Sequence, residues 1–145
     1  CASAITAEAN LTFDGSTLTL DGDLTFTGAQ EISTSSGNLT IGALIQRNVN
    51  AGLTASTSQS QGEGALTAEI NEVSTCANDD DTVTLPTAAA GLKIVIINNG
   101  ANRLQIFPAS SDNLGAGANS SLAGGLAAGE NITFIAYDAT NWEEA

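Results

Sequence analysis

The chain has 145 residues, of which 42% are hydrophobic and only 13% charged, about half the usual charged share, so it can bury one ordinary core, or a small core plus an arm, beneath a surface of Ser, Thr, Asn and Gly. Asp and Glu number 16 against 3 Lys and Arg, a formal net charge of -13, and so few cations exclude electrostatic binding to DNA, RNA or an anionic membrane surface. Histidine is absent, which excludes Ser-His and Cys-His nucleophilic pairs, and no stretch approaches the ~18 apolar residues that membrane insertion by a helix requires.

From the N-terminus, a Leu-Thr-apolar unit recurs four times, each copy closed by glycine: Leu11-Thr12-Phe13-Asp14-Gly15, Leu18-Thr19-Leu20-Asp21-Gly22, Leu24-Thr25-Phe26-Thr27-Gly28 and Leu39-Thr40-Ile41-Gly42. Apolar residues two apart share one face of a strand while the Thr between them takes the other, so each unit predicts a very short strand ending in a tight turn. Strands this short do not bury an apolar face alone, and repeat units become stable when neighbours stack. In so narrow a segment the missing surface is expected from other copies of the chain. Leu11, Phe13, Leu18, Leu20, Leu24 and Phe26 are therefore the expected oligomer or docking interface. The arm is expected to span residues 1–55, including an apolar tail from Ile41 to Leu53 that carries Arg47.

Residues 56–64, Ser-Thr-Ser-Gln-Ser-Gln-Gly-Glu-Gly, contain no apolar side chain and predict a flexible linker. Residues 65–145 then predict strands at Leu66–Val73, Thr82–Leu85, Leu92–Asn98, Arg103–Phe107 and Ile132–Tyr137, with a closing piece around Trp142. Apolar residues on both parities of Leu92–Ile97 mark a central strand covered on both faces. Asn98-Asn99-Gly100 predicts a type I′ hairpin returning through Leu104–Phe107. Pro86 and Pro108 each end a strand. The glycines at 115, 117, 124, 125 and 129 make a helix over Leu114–Gly129 costly, so loops with one or two short strands are expected there. The fold class is all-β: an arm of short repeat strands followed by a β-sandwich or jelly-roll-like domain.

Three constellations bear on chemistry. Asn78-Asp79-Asp80-Asp81 lacks the spaced ligands and glycine of a calcium loop and predicts a solvated turn. Paired carboxylates also serve glycosidases, but those need a sugar cleft, commonly lined with aromatics, and aromatics are 4% of this chain. Tyr137 and Trp142 flank a turn at Asp138–Asn141; such an aromatic pair at a tip can bind a sugar or a partner, but the expectation is that the pair plugs the end of the sandwich. Cys1 and Cys76 fall in no metal-ligand spacing, so neither a metal nor a cofactor is expected, and the sequence leaves open whether Cys76 is a small buried hydrophobe or a disulfide partner of Cys1 within or between chains. The expectation is a protein that is not an enzyme.

The run from Ala65 to Trp142 resembles a β-module found near the C-termini of tailed-bacteriophage structural proteins, among them fibre, tail-tip and head-decoration proteins. The resemblance rests on Val83-Thr84-Leu85-Pro86, Ala90-Gly91, Ile97-Asn98-Asn99-Gly100, Leu104–Ser110, Asp112-Asn113-Leu114, Leu126–Gly129, Phe134–Asp138 and Asn141-Trp142. The N-terminal repeats are similar to the stalks of such proteins. What this resemblance implies is a homotrimer on the virion surface, a capsid decoration protein or short fibre, with capsid or tail proteins as partners and no catalytic residues. Two other roles share the module: a fibre tip that recognises a host-surface glycan or protein receptor, and a bacterial surface adhesin or filament subunit.

Overall fold

The computed structural model describes residues 11–13, 15–20, 23–25, 27, 32 and 35–145; the protein is all-β, with no helix among the described residues. Two compact units divide between Leu44 and Ile45.

In the first unit, β1 (Leu11–Phe13) and β2 (Leu18–Leu20) are antiparallel, with Leu11 opposite Leu20 and Phe13 opposite Leu18. Gly15, at φ 95°, supplies the left-handed conformation that the tight connection needs. Two of the four repeats therefore become strands. Leu24 and Thr25 lie in no strand, and the fourth repeat, Leu39-Thr40-Ile41, is exposed and unpaired, contrary to expectation. A three-residue segment keeps its ladder only where a second strand meets its backbone groups, and none does so there among the described residues.

The second unit begins earlier than the expected boundary at 55. The presumed apolar tail contains a strand, β3 (Val49–Thr54), which pairs parallel with β4 (Ile70–Thr75), bulging where Gly52 takes φ 78°. Nor is 56–64 a free linker. Ser56 exchanges both backbone hydrogen bonds with Thr82, Gly64 accepts from the Thr84 N–H, and the Gln61 amide donates to the carbonyls of Pro108 and Ala109 at 2.9 and 3.2 Å. Polar composition suggested solvent here, but the segment is held by its backbone and amide groups rather than by apolar burial.

The remaining strands are β5 (Asp81–Thr84), β6 (Lys93–Asn98), β7 (Leu104–Phe107), β8 (Asn131–Ala136) and β9 (Trp142–Glu144). They form a five-stranded sheet in the order β3-β4-β6-β8-β9 and a two-stranded sheet of β5 and β7. From β4 to β7 the chain alternates between sheets, so β4 pairs parallel with β6 and β5 parallel with β7. Each circuit of this coil gives one strand to each layer. The antiparallel β8–β9 hairpin closes the large sheet. One core joins the layers: Val73, Ile94, Ile96, Phe134 and Trp142 from the large sheet are buried in the same cluster as Val83, Leu85, Leu104 and Ile106.

The coil overturns the expected hairpin at Asn98-Asn99-Gly100, because β6 and β7 lie in different sheets. Neither Asn99 nor Gly100 takes the positive φ that a type I′ turn requires. The segment is instead a corner between layers, stacked on the corner that links β4 to β5. The buried Asn98 amide donates to the carbonyls of Asn102 and Leu126 at 2.9 and 3.0 Å, its oxygen accepts the Gly100 N–H, and Asn102 donates to the carbonyls of Cys76 and Ala77. A Cβ at position 100 would lie 2.5 Å from the Cys76 Cβ and 2.6 Å from its backbone nitrogen. Gly100→Ala is expected to force the stacked corners apart at a cost of about 1–3 kcal/mol, read as a lower urea midpoint. An unchanged midpoint would show that the corners do not rely on this approach.

Candidate functional site

The expected interface residues fall in the first unit. Leu11 and Phe13 lie in β1, opposite Leu20 and Leu18. Leu18, Leu20 and Leu24 are 66%, 37% and 65% exposed, and Phe26 lies outside the described residues. Leu39, Ile41 and Leu44 are exposed as well. A water-exposed series of large aliphatic side chains, two of them on β2 and the rest outside any strand, carries no chemistry of its own; what it can do is bury apolar area against another surface, at about 25 cal/mol per Å².

The acidic run is a turn, as expected, but only part of it is solvated. Asp80, at φ 68°, receives Nε and Nη2 of Arg103 at 3.0 and 2.9 Å, while Asp79 Oδ1 accepts the Arg103 backbone N–H. Asp81 turns inward, is fully buried, and accepts the N–H groups of Asn78 and Ala77 at 2.9 Å each. Asp79 and Asp80 both engage Arg103, through its backbone and its guanidinium, while Asp81 is held by the N–H groups of its own turn. No group of three or more His, Cys, Asp or Glu among the described residues is arranged to hold a metal ion.

The Asn78 N–H, aided by the Asn78 amide and the Ala77 N–H, holds the Asp81 carboxyl below the usual carboxylate range against the opposing effect of burial. A folded-state value below the unfolded one, about 3.9, means that the carboxylate stabilises the protein above pH ~4 and that this contribution is lost as pH falls through the lower folded value. Asp81→Asn is therefore expected to lower Tm at pH 7, with the gap to the parent closing as both are titrated toward pH 2. A gap independent of pH would show that charge on Asp81 contributes nothing.

Cys76 is buried behind this turn, with Sγ 3.4 Å from the carbonyl oxygens of Asn78 and Arg103. Burial foremost, and then the nearby Asp81, push its thiol pKa up, which suppresses the reactive thiolate. Of the aromatic pair expected as a plug, Trp142 is buried in the core, but Tyr137, contrary to that expectation, is 60% exposed. The turn between them is braced by Asp138, whose Oδ1 accepts the N–H groups of Thr140 and Asn141 at 2.8 and 2.7 Å.

One feature of the second unit was not anticipated from the sequence. A cavity of about 320 Å³ opens where β4 and β6 begin, walled by Pro86, Leu92 and Ile94 and bordered by Arg47, Glu69 and Lys93. Arg47 Nη1 donates to Glu69 Oε2 at 3.1 Å, and Lys93 has no ion-pair partner among the described residues. The signal was present in the composition: two of only 3 cations border one cavity, but nothing local in the sequence links position 47 to position 93. Strand pairing supplies the link, because β3, which follows Arg47, lies beside β4, and β4 lies beside β6.

Comparison with protein-family models, with curated proteins and with solved structures finds no match.

Proposed function

We propose that this chain is a non-enzymatic structural protein of a tailed-phage virion, a trimeric capsid decoration protein or short fibre displayed on the particle surface. The observation that carries the reading is the exposure of Leu18, Leu20 and Leu24 in an arm of very short strands, apolar area that a single copy leaves in water. Association by such a surface needs no catalytic group: apolar burial supplies affinity, and symmetry multiplies weak contacts into avidity. The virion assignment comes from the resemblance of residues 65–142 and of the repeats to phage structural proteins. Sister copies and capsid or tail proteins of the same particle are the partners in this reading. It is tested by adding purified chain to particles that lack it and imaging them. Parent protein is expected to attach, whereas Leu18→Ser/Leu24→Ser is expected to stay free; equal attachment of both would remove the arm from the interface.

One observation favours a second reading. Tyr137, exposed at the end of β8 beside the Asp138-braced turn, offers an aromatic ring of the kind that stacks on a sugar face, as a fibre tip recognising a host-surface glycan or protein would need. Binding to intact host cells that is lost in Tyr137→Ala would favour the tip over the decoration protein.

A further inference from the structure

The 16 acids and 3 cations of this chain set a constraint on any contact between copies. Copies that each carry -13 repel one another, and although salt screens this beyond about 8 Å, contact itself lies inside that range. Two copies therefore meet most favourably where the local surface is not negative. Arg103 is already committed, both Nε and Nη2 being engaged by Asp80. The other two cations, Arg47 and Lys93, border the same apolar cavity, and only Arg47 has an ion-pair partner among the described residues, Glu69. The cavity thus combines apolar walls from Pro86, Leu92 and Ile94 with an unneutralised ammonium group. Such a site suits a peptide edge that carries carboxylates.

The chain supplies one such edge. Its acids are adjacent in two places only, Asp79–Asp81 and Glu143-Glu144. The first is consumed by Arg103 and by the N–H groups of its own turn. The second lies on β9, the outer strand of the five-stranded sheet, where both glutamates are exposed and without an ion pair among the described residues. Within one copy no ion pair joins Glu143 to Lys93 among the described residues: Lys93 pairs with Ile135, which pairs with Glu143, so their backbones stand two strand spacings apart, roughly 10 Å, with Ile135 between them.

We propose that the cavity bordered by Arg47 and Lys93 seats the Glu143-Glu144 edge of a second copy of this chain. The contact joins two different surfaces, so it is head-to-tail, and a rotation that closes on itself makes a ring of it. A cyclic trimer is one such ring. The inference rests on the self-assembly proposed above and adds the site at which the second units meet, separate from the apolar arm.

The test is sedimentation of the full chain over a range of concentrations. Arg47→Glu/Lys93→Glu and Glu143→Lys/Glu144→Lys are each expected to weaken association at least about tenfold, since each sets like charges against one another. The chain carrying all four reversals is expected to regain the parent mass. Lys93→Glu alone repeats the test without disturbing the Arg47–Glu69 pair, and circular dichroism confirms that each variant keeps its β-structure. An oligomer indifferent to the reversals, or a fourfold variant that stays dissociated while folded, would overturn this contact and leave self-assembly standing. A parent chain that is monomeric at every concentration would overturn both.

Discussion

Phe134→Ala is expected to cost about 3–5 kcal/mol of stability, a fall in Tm on the order of ten degrees or more for a unit of this size. Phe134 lies in β8, opposite Ile94 on β6 and Glu144 on β9, and its ring is buried in the cluster that joins the two sheets. Removing it leaves a cavity between layers whose backbones are pinned on both sides by strand pairing, so collapse into the space is limited and the loss includes dispersion contacts as well as transfer energy. Ile96→Ala on the same face, where the side chain is 0% exposed, is expected to cost about 2–5 kcal/mol. Ile135→Ala, adjacent to Phe134 but pointing to the other face and 39% exposed, is the internal control and is expected to cost under about 1 kcal/mol. Denaturant titration of the three variants reads the difference. Comparable losses at 134 and 135 would mean that both faces of β8 are covered, contrary to the alternation of buried and open positions along it.

That alternation is where the sequence was most legible. Ile132, Phe134 and Ala136 of β8, and Leu104 and Ile106 of β7, fall on every second position in the sequence and are the buried ones, apolar Ile135 being the exposed exception, and period-two patterning needs no knowledge of the partner strand. The same patterning located β4 and β5 within a few residues and supported the all-β class, whereas β6, expected to be covered on both faces from its apolar residues on both parities, buries Ile94 and Ile96 and only half-covers Val95 and Ile97 on the other face. It failed wherever pairing was decided by distant chain. Nothing in Val49–Thr54 marks it as a strand, because its burial pattern is mostly exposed and its order comes from hydrogen bonds to β4. Residues 56–64 read as linker for the same reason: what holds Ser56 and Gln61 is backbone and amide bonding, invisible to a hydropathy pattern.

The reading of Asn98-Asn99-Gly100 as a hairpin shows a different failure. Asn-Gly does favour a type I′ turn, but here the Asn98 side chain has three carbonyl partners in the layer corner, and glycine is needed for the close approach of Cys76 rather than for positive φ. Local turn preference yields to a corner that satisfies several buried polar groups at once, each hydrogen bond contributing about 1 kcal/mol net. Of the candidate sites, the arm was legible because its Leu-Thr-apolar repeats are local. The cavity was not, since Arg47 and Lys93 come together only through the order of strands in the large sheet.

The second large effect is expected in the arm. Leu18 and Leu24 are exposed, so replacing both with serine removes little from a single copy and should leave the unfolding midpoint of the second unit unchanged. If sister copies bury these side chains, each contributes about 1.5–3 kcal/mol to association, and the double variant should weaken it by about 100-fold or more. A large loss of affinity with no loss of stability is the signature that separates an interface from a core. The most direct measurement is the molar mass of the full chain by sedimentation equilibrium, parent beside Leu18→Ser/Leu24→Ser, at matched concentrations. The account predicts a trimeric parent and a monomeric variant; a variant that sediments as the parent does would contradict it.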